Sequence, residues 1–142
     1  MSEKLVAKAD VTIDAPDEEV WESLVDPDAI REYMFGTTVV TDWKEGSPIV
    51  WKGEWQGRKY EDKGEILELD APRRLRYSHY SPLAGKDDSP ENYHTVTIAL
   101  KPEGDRTRVT LSQDNNATAE ERAHSEENWA TMLQGLKAHV ER

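Results

Sequence analysis

The stretch TAEERAHSEENWATMLQGLKAHVE, Thr118 to Glu141, decides the fold. Trp129, Met132, Leu133, Leu136 and Val140 advance by three, one, three and four, the spacing that lays one apolar stripe along an α-helix, and Ala123 extends it N-terminally. Glu120, Glu121, Arg122, Glu126, Glu127 and Lys137 take the opposite, solvated face. Thr118-Ala119-Glu120-Glu121 has the form of a capping box, in which Thr118 accepts from first-turn amides and Glu121 reaches back to the Thr118 amide. Acidic residues crowd the first turns and Lys137, His139 and Arg142 the last, each matched to the sign of the helix dipole. No other segment promises so long a helix, and a lone amphipathic helix must bury its stripe against another element.

What precedes it reads almost entirely as strands. Leu5, Ala7, Ala9, Val11 and Ile13 alternate with Val6, Lys8, Asp10, Thr12 and Asp14, a half-buried first strand with odd residues inward. Ala15-Pro16 opens a short helix with Asp17, Glu18 and Glu19 in its first turn and Val20, Trp21, Leu24 and Val25 as its buried stripe; Asp26-Pro27 stops it. A second short helix, Pro27 to Tyr33, turns Ile30 and Met34 inward. From Gly36 the period becomes two, predicting strands near Thr37–Trp43, Pro48–Gln56, Arg58–Leu69, Leu75–Tyr80, Tyr93–Lys101 and Arg106–Asp114. The breaks at Glu45-Gly46-Ser47-Pro48, Gln56-Gly57, Asp70-Ala71-Pro72 and Pro102-Glu103-Gly104-Asp105 carry turn chemistry, and connections this short make an antiparallel meander. The expected architecture is α+β: a curved antiparallel sheet of six to seven strands wrapped around the long C-terminal helix, with two short helices after the first strand. A curved sheet cannot touch a straight helix along its whole length, so a cavity is expected between them.

Composition narrows the function. The 142 residues suit a single domain, 1–142. A net charge of -11, from 29 acidic against 18 basic residues, with no basic cluster beyond Arg73-Arg74-Leu75-Arg76, argues against a nucleic-acid partner. There is no run of about 18 apolar residues to insert in a membrane and no secretory signal, so a soluble, cytoplasmic protein is expected. Zero cysteines exclude disulfides, thiol catalysis and thiolate metal sites. Five tryptophans and five tyrosines against one phenylalanine favour rings that line a cavity yet offer an N–H or O–H to a ligand.

Alternation sorts the candidate residues by face. Tyr77 and His79 follow Leu75, His94 precedes Val96, Ile98 and Leu100, and Gln113 follows Val109 and Leu111; three hairpin-paired strands would bring His79, His94 and Gln113 to one height on the inner wall. Such a polar trio can orient a ligand; the competing reading is strand-end histidines bonded to the Ser81–Asn92 loop. A His79–His94 acid/base pair is chemically possible, but neither a nucleophile nor an oriented carboxylate accompanies it, so no catalytic residue is assigned. Two histidines without an aligned carboxylate are too few for a metal site. Trp51 and Trp55 share a face with Ile49 and point inward. Tyr60, Asp62 and Gly64 share a face whose direction is undecided, because Ile66 and Leu67–Leu69 disagree in parity. Trp21, Met34 and Phe35 are expected at a mouth gated by the short helices, and Trp129, Met132 and Leu133 as the helical wall. As a buried ring, Trp129 would cost about 3–5 kcal/mol on truncation to alanine. The proline-bracketed loop Ser81–Pro90 is expected to be a lid.

Five features in this order resemble a known pattern: Ala15-Pro16 then Val20-Trp21; Asp26-Pro27; Asp70-Ala71-Pro72-Arg73-Arg74-Leu75 before Tyr77-Ser78; and Trp129-Ala130-Thr131-Met132-Leu133-Gln134-Gly135-Leu136-Lys137. The pattern is that of the START/Bet v 1-like (SRPBCC) superfamily, in its activator-of-Hsp90-ATPase homologue-like branch. The runs Ser78–Gly85 and Pro90–His94 look like a bacterial stand-alone subgroup. The resemblance implies the helix-grip fold, a hydrophobic ligand cavity and, for most members, no assigned reaction. It does not imply Hsp90 activation, since the chain looks like the small domain without the N-terminal domain of the eukaryotic co-chaperone. Three functions follow from the residues and the resemblance together. The first is binding of a small aromatic or lipid-like molecule, with no cofactor and no metal. The second is a co-chaperone-like or stress-related protein-interaction module, and the third a His-dependent hydrolase or cyclase. The ligand's identity and the choice between monomer and homodimer stay open.

Overall fold

The computed structural model describes residues 5–34, 36–55, 57–82 and 87–141, with Trp55 described by its backbone only. Strand β1 (Leu5–Ile13) leads into helices α1 (Asp17–Leu24) and α2 (Pro27–Tyr33). Strands β2 (Thr38–Thr41), β3 (Pro48–Trp55), β4 (Arg58–Asp70), β5 (Arg74–His79), β6 (His94–Glu103) and β7 (Arg106–Asn116) follow, and helix α3 (Ala119–Val140) closes the order. The seven strands form one antiparallel sheet in the order β1-β7-β6-β5-β4-β3-β2. Strands β2 to β7 are therefore a meander, as their short turns require, and β1 joins the far edge against β7. The helix-grip architecture expected from the sequence is the one observed. Strand ends moved by one or two residues in most cases; at Thr37–Trp43 the chain leaves the sheet after Thr41.

Strand alternation sets the inner face. Ala7, Val11 and Ile13 of β1, Val109 and Leu111 of β7, Val96, Ile98 and Leu100 of β6, and Leu75 and Tyr77 of β5 are all buried. Met132, Leu133 and Leu136 of α3 cover them, and Val20, Trp21 and Leu24 of α1 with Ala29, Ile30 and Tyr33 of α2 close one end. Full burial of one such aliphatic side chain is worth about 1.5–3 kcal/mol. Helix α2 approaches α3 closely because Gly135 lacks a side chain: a Cβ there would lie 3.3 Å from the Tyr33 carbonyl oxygen.

Strand β4 produces the curvature. Its first half, Arg58 to Glu65, pairs with β3, and its second half, from Ile66, pairs with β5. At the handover Lys63 bridges Tyr80, and Gly64 passes so near β5 that a Cβ would fall 1.7 Å from the Ser78 carbonyl oxygen. Only glycine fits such a crossing. Three residues on, Leu67 is the extra residue of a bulge: Ile66 opposes Tyr77 while Glu68 opposes Arg76. The parity conflict at Ile66–Leu69 is thus the signature of this bulge, and it settles the undecided direction. Trp51 opposes Asp62 and Gly53 opposes Tyr60, so Tyr60, Asp62 and Gly64 face inward with Trp51.

Helix α3 departs from its expected pattern in three places. Thr118 caps it through the Glu121 amide at 3.0 Å, but the Glu121 carboxylate takes the Ala117 amide rather than that of Thr118. Ala123 is exposed, so the buried stripe begins at Met132, with Trp129 half-buried. Glu126, expected in water, accepts the Lys8 amide at 2.9 Å; Glu141 accepts the Asp14 amide at 2.8 Å, and Lys137 donates to the Thr12 carbonyl at 2.8 Å. Those side chains satisfy polar groups along the β1 edge, which would otherwise be a template for another strand.

Candidate functional site

The inner face carries a polar end. His79 closes β5 and His94 opens β6, and the two oppose each other in register. Their ring centroids stand 6.4 Å apart. Trp51, from β3, meets the edge of His79 at 5.0 Å and packs on Tyr77 at 5.0 Å. Trp51, Tyr77, His79 and His94 thus form a continuous run of rings across four strands of sheet, with only β4 contributing something else.

That something is Asp62. Its Oδ2 lies 3.0 Å from His79 Nε2, while its Oδ1 is buried with no hydrogen-bond partner among the described residues. The His79 side chain is 25% exposed and that of Asp62 16%, so the pair is sheltered but reachable from solvent. On the other side His94 Nδ1 lies 2.8 Å from the Asp114 carbonyl oxygen. A carbonyl only accepts, so Nδ1 of His94 carries a proton and the neutral ring presents Nε2 as an acceptor. Asp62 was not among the expected site residues. The register opposing it to Trp51 was the available signal, masked by the bulge. Its presence overturns the expectation that no oriented carboxylate accompanies the histidines.

Gln113 and Trp129 serve each other. The Trp129 indole N–H donates to Gln113 Oε1, and Gln113 Nε2 reaches Asn116 Oδ1 at 3.5 Å. Asn116, itself buried, donates to the Leu5 and Gln113 carbonyls at 3.0 Å each. This network joins the middle of α3 to the end of β7, so Gln113 is engaged with protein groups.

Among the described residues the space between sheet, helix pair and α3 holds a small cavity. Its volume is about 30 Å³, and it is lined among others by Ile30, Met34, Trp43, Trp51, Tyr77 and Met132. It has room for a water or two, far below the roughly 300 Å³ at which drug-sized ligand pockets begin. Burial holds the Tyr77 hydroxyl protonated well above the usual phenol range; Tyr33 is raised in the same way, chiefly by burial and then by Tyr77 and Asp26. Tyr33 donates to the Ser23 carbonyl at 3.0 Å. Trp43 lines this cavity from a left-handed backbone, φ 55°, unusual for a bulky residue. A larger concavity, about 400 Å³, lies on the outer face of β1, β7 and β6 among Lys8, Asp10, Thr97, Ala99, Arg108 and Thr110, away from the aromatic run.

The other expected site residues are distributed as follows. Met34 and Met132 line the small cavity, whereas Trp21 and Leu133 are buried in the core without reaching it. Tyr60 lies over Gly53 and shares a hydrogen bond of 2.6 Å with Thr37. Phe35 and the Trp55 side chain lie outside the described residues, as do residues 83–86 of the loop expected to be a lid. The loop's far side is anchored. Asp88 pairs with Lys63 and accepts from Tyr93 at 2.6 Å, and Tyr93 stacks on Tyr80 at 5.2 Å. The Lys63 contact, then that of Tyr93, holds the Asp88 carboxyl below its usual range. Among the described residues no three His, Asp or Glu side chains converge as metal ligands, and no helix is long and apolar enough to cross a membrane.

Residues 14–141 match the family described as activator of Hsp90 ATPase homolog 1-like protein. Among solved structures, ChR145 from Cytophaga hutchinsonii is 60% identical, with a TM-score of 0.87, over 99% of this chain and 97% of that one. The Aha1 dimer from Colwellia psychrerythraea is 19% identical, with a TM-score of 0.74, over 96% of each chain. DynU16, from the dynemicin biosynthetic locus, is 18% identical, with a TM-score of 0.80, over 96% of this chain and 47% of that one. At such identities the last two establish the fold alone. No curated protein matches the sequence. With its seven-stranded sheet closed on a C-terminal helix and a family match spanning nearly all of its length, the chain belongs to the activator of Hsp90 ATPase homolog 1-like family, of START/Bet v 1-like fold.

Proposed function

We propose that this chain is a cytoplasmic, single-domain binding module that takes a small, planar, mostly apolar molecule at the polar end of its inner wall. The observation that carries the reading is the run Trp51, Tyr77, His79 and His94, in ring-to-ring contact and, at its histidine end, partly open to solvent. Apolar rings supply contact area and the imidazoles a few oriented polar atoms, the usual composition of a small-molecule site. Because the cavity among the described residues holds only about 30 Å³, the ligand rests against Trp51 from the open end, or makes room by displacing Met34 and Trp43. No reaction and no cofactor are part of this reading.

A thermal-shift panel of nitroaromatics, naphthalenes, fatty acids and sterols tests it. The expected result is a saturable stabilisation by planar aromatics, about 2.7 kcal/mol at a hundred times the dissociation constant, that is lost in Trp51→Ala while that variant still folds. A flat response across the panel would refute it. The small cavity favours the protein-interaction reading as the alternative, with Val40 (54% exposed) on the free β2 edge as its apolar contact. That edge is also where a homodimer would pair, because α3 side chains already occupy the β1 edge.

A further inference from the structure

Around His79 the protein presents hydrogen-bond acceptors. With Nε2–H directed at the Asp62 carboxylate, the neutral His79 ring leaves Nδ1 as a lone pair. His94, fixed by the Asp114 carbonyl, leaves Nε2 as a second. Asp62 Oδ1, buried and unpartnered among the described residues, is a third. A buried carboxylate oxygen without a donor carries a desolvation penalty, relieved when a donor arrives. With the Trp51 ring 5.0 Å from that of His79, these acceptors select a planar ring that carries a donor.

We infer that Asp62 and His79 form a proton-accepting dyad whose ligand is a phenol or enol on an aromatic ring. This deepens the binding reading and rests on it. The ligand O–H donates to His79 Nδ1, and the proton crosses to that nitrogen as the oxygen becomes an anion. Asp62 balances the imidazolium through Nε2–H, so the net charge of the site is the same before and after transfer. His79 is the group that touches the ligand, and Asp62 positions it: the carboxylate accepts from Nε2–H, which fixes the tautomer and the ring orientation and turns Nδ1 to the ligand. His94 offers its Nε2 from across the site, 6.4 Å away ring to ring, and Tyr77, kept neutral by burial, adds no charge.

The test uses para-nitrophenol, whose anion is yellow, and nitrobenzene, which has the same ring and no hydroxyl. Both are titrated at the pH where free para-nitrophenol is half ionised. In the wild type the bound phenol becomes predominantly anion, at least a tenfold rise in its ionisation constant, one pKa unit or about 1.4 kcal/mol. In Asp62→Asn and in His79→Gln, both near-isosteric, the bound phenol returns to about half anion, while nitrobenzene still binds each variant saturably. Equal ionisation of the bound phenol in wild type and both variants, with nitrobenzene still binding, would overturn the dyad and leave the pocket standing. Failure of both probes to bind saturably would overturn the pocket, and the dyad with it.

Discussion

Replacing Gly64 by alanine tests the account of how β4 bends. The new Cβ would lie 1.7 Å from the Ser78 carbonyl oxygen and 2.6 Å from its carbon, whereas real Cβ contacts stay above 3.0 Å. β4 and β5 must therefore part by at least 1.3 Å, the difference of those two distances. Three hydrogen bonds span that gap: Lys63 N–H to the Tyr80 carbonyl at 3.0 Å, Tyr80 N–H to the Lys63 carbonyl at 2.8 Å, and Glu65 N–H to Ser78 Oγ at 3.0 Å. At about 0.5–1.5 kcal/mol net each, their loss costs about 1.5–4.5 kcal/mol. The stiffer unfolded chain of alanine returns about 0.4–1 kcal/mol, leaving a net destabilisation of about 0.5–4 kcal/mol. Gly53 supplies the internal control. A Cβ there would meet the Tyr60 hydroxyl at 2.3 Å, but that obstacle is the end of a side chain that can swing aside, losing only its bond to Thr37. Gly53→Ala should therefore cost about 1 kcal/mol or less. Urea unfolding of both variants, read as a shift in midpoint at constant slope, makes the comparison. A Gly64→Ala protein within about 0.5 kcal/mol of wild type, or one more stable than Gly53→Ala, would refute the close-crossing argument.

Two further predictions follow from burial. Leu136 is fully buried on the α3 stripe, so Leu136→Ala should destabilise by about 2–5 kcal/mol in the same assay, and a cost below 1 kcal/mol would remove α3 from the core. Tyr33 and Tyr77 have folded-state pKa values raised above the unfolded value of 10.0. Their contribution is complete below that pH and is lost as pH rises through and beyond it, with a slope of about 1.4 kcal/mol per pH unit for each. Urea midpoints measured between about pH 9 and about pH 11 should fall more steeply for wild type than for Tyr77→Phe, and parallel curves would contradict the burial of that hydroxyl.

Much of the fold is legible in the sequence because two periods and a set of turn residues leave little choice. The spacing Trp129 to Val140 can only be a helix, and the alternation from Gly36 onward can only be strands joined by short turns. Where the reading slipped, a tertiary contact decided the matter. Glu126 and Lys137 look like solvated surface charges until the β1 amide and carbonyl they bond are placed beside them. Ala123 fits the stripe by spacing, yet it is exposed and the helix is buried only from Met132. Half-burial also lowers the cost of truncating Trp129 below the 3–5 kcal/mol expected of a core ring, since part of its area never leaves water.

The site was legible in outline. His79 and His94 came together because hairpin pairing dictates their register. The face of Asp62 stayed undecided because Ile66 and Leu67–Leu69 disagree in parity, and the bulge at Leu67 that causes the disagreement is visible only in the pairing with β5. The size of the cavity was not legible at all. Whether Trp51, Trp43 and Met132 lean into the space or away from it depends on packing against three elements at once, which no one-dimensional pattern encodes.

The most direct test of the functional account is a side-chain NMR titration of the intact protein with nitrobenzene. The account predicts saturable shifts of the Trp51 indole and of the His79 and His94 imidazole signals at one common affinity. Thr97 and Thr110, on the outer face, should stay still. Shifts confined to the outer-face residues, or none anywhere at saturating probe, would contradict it.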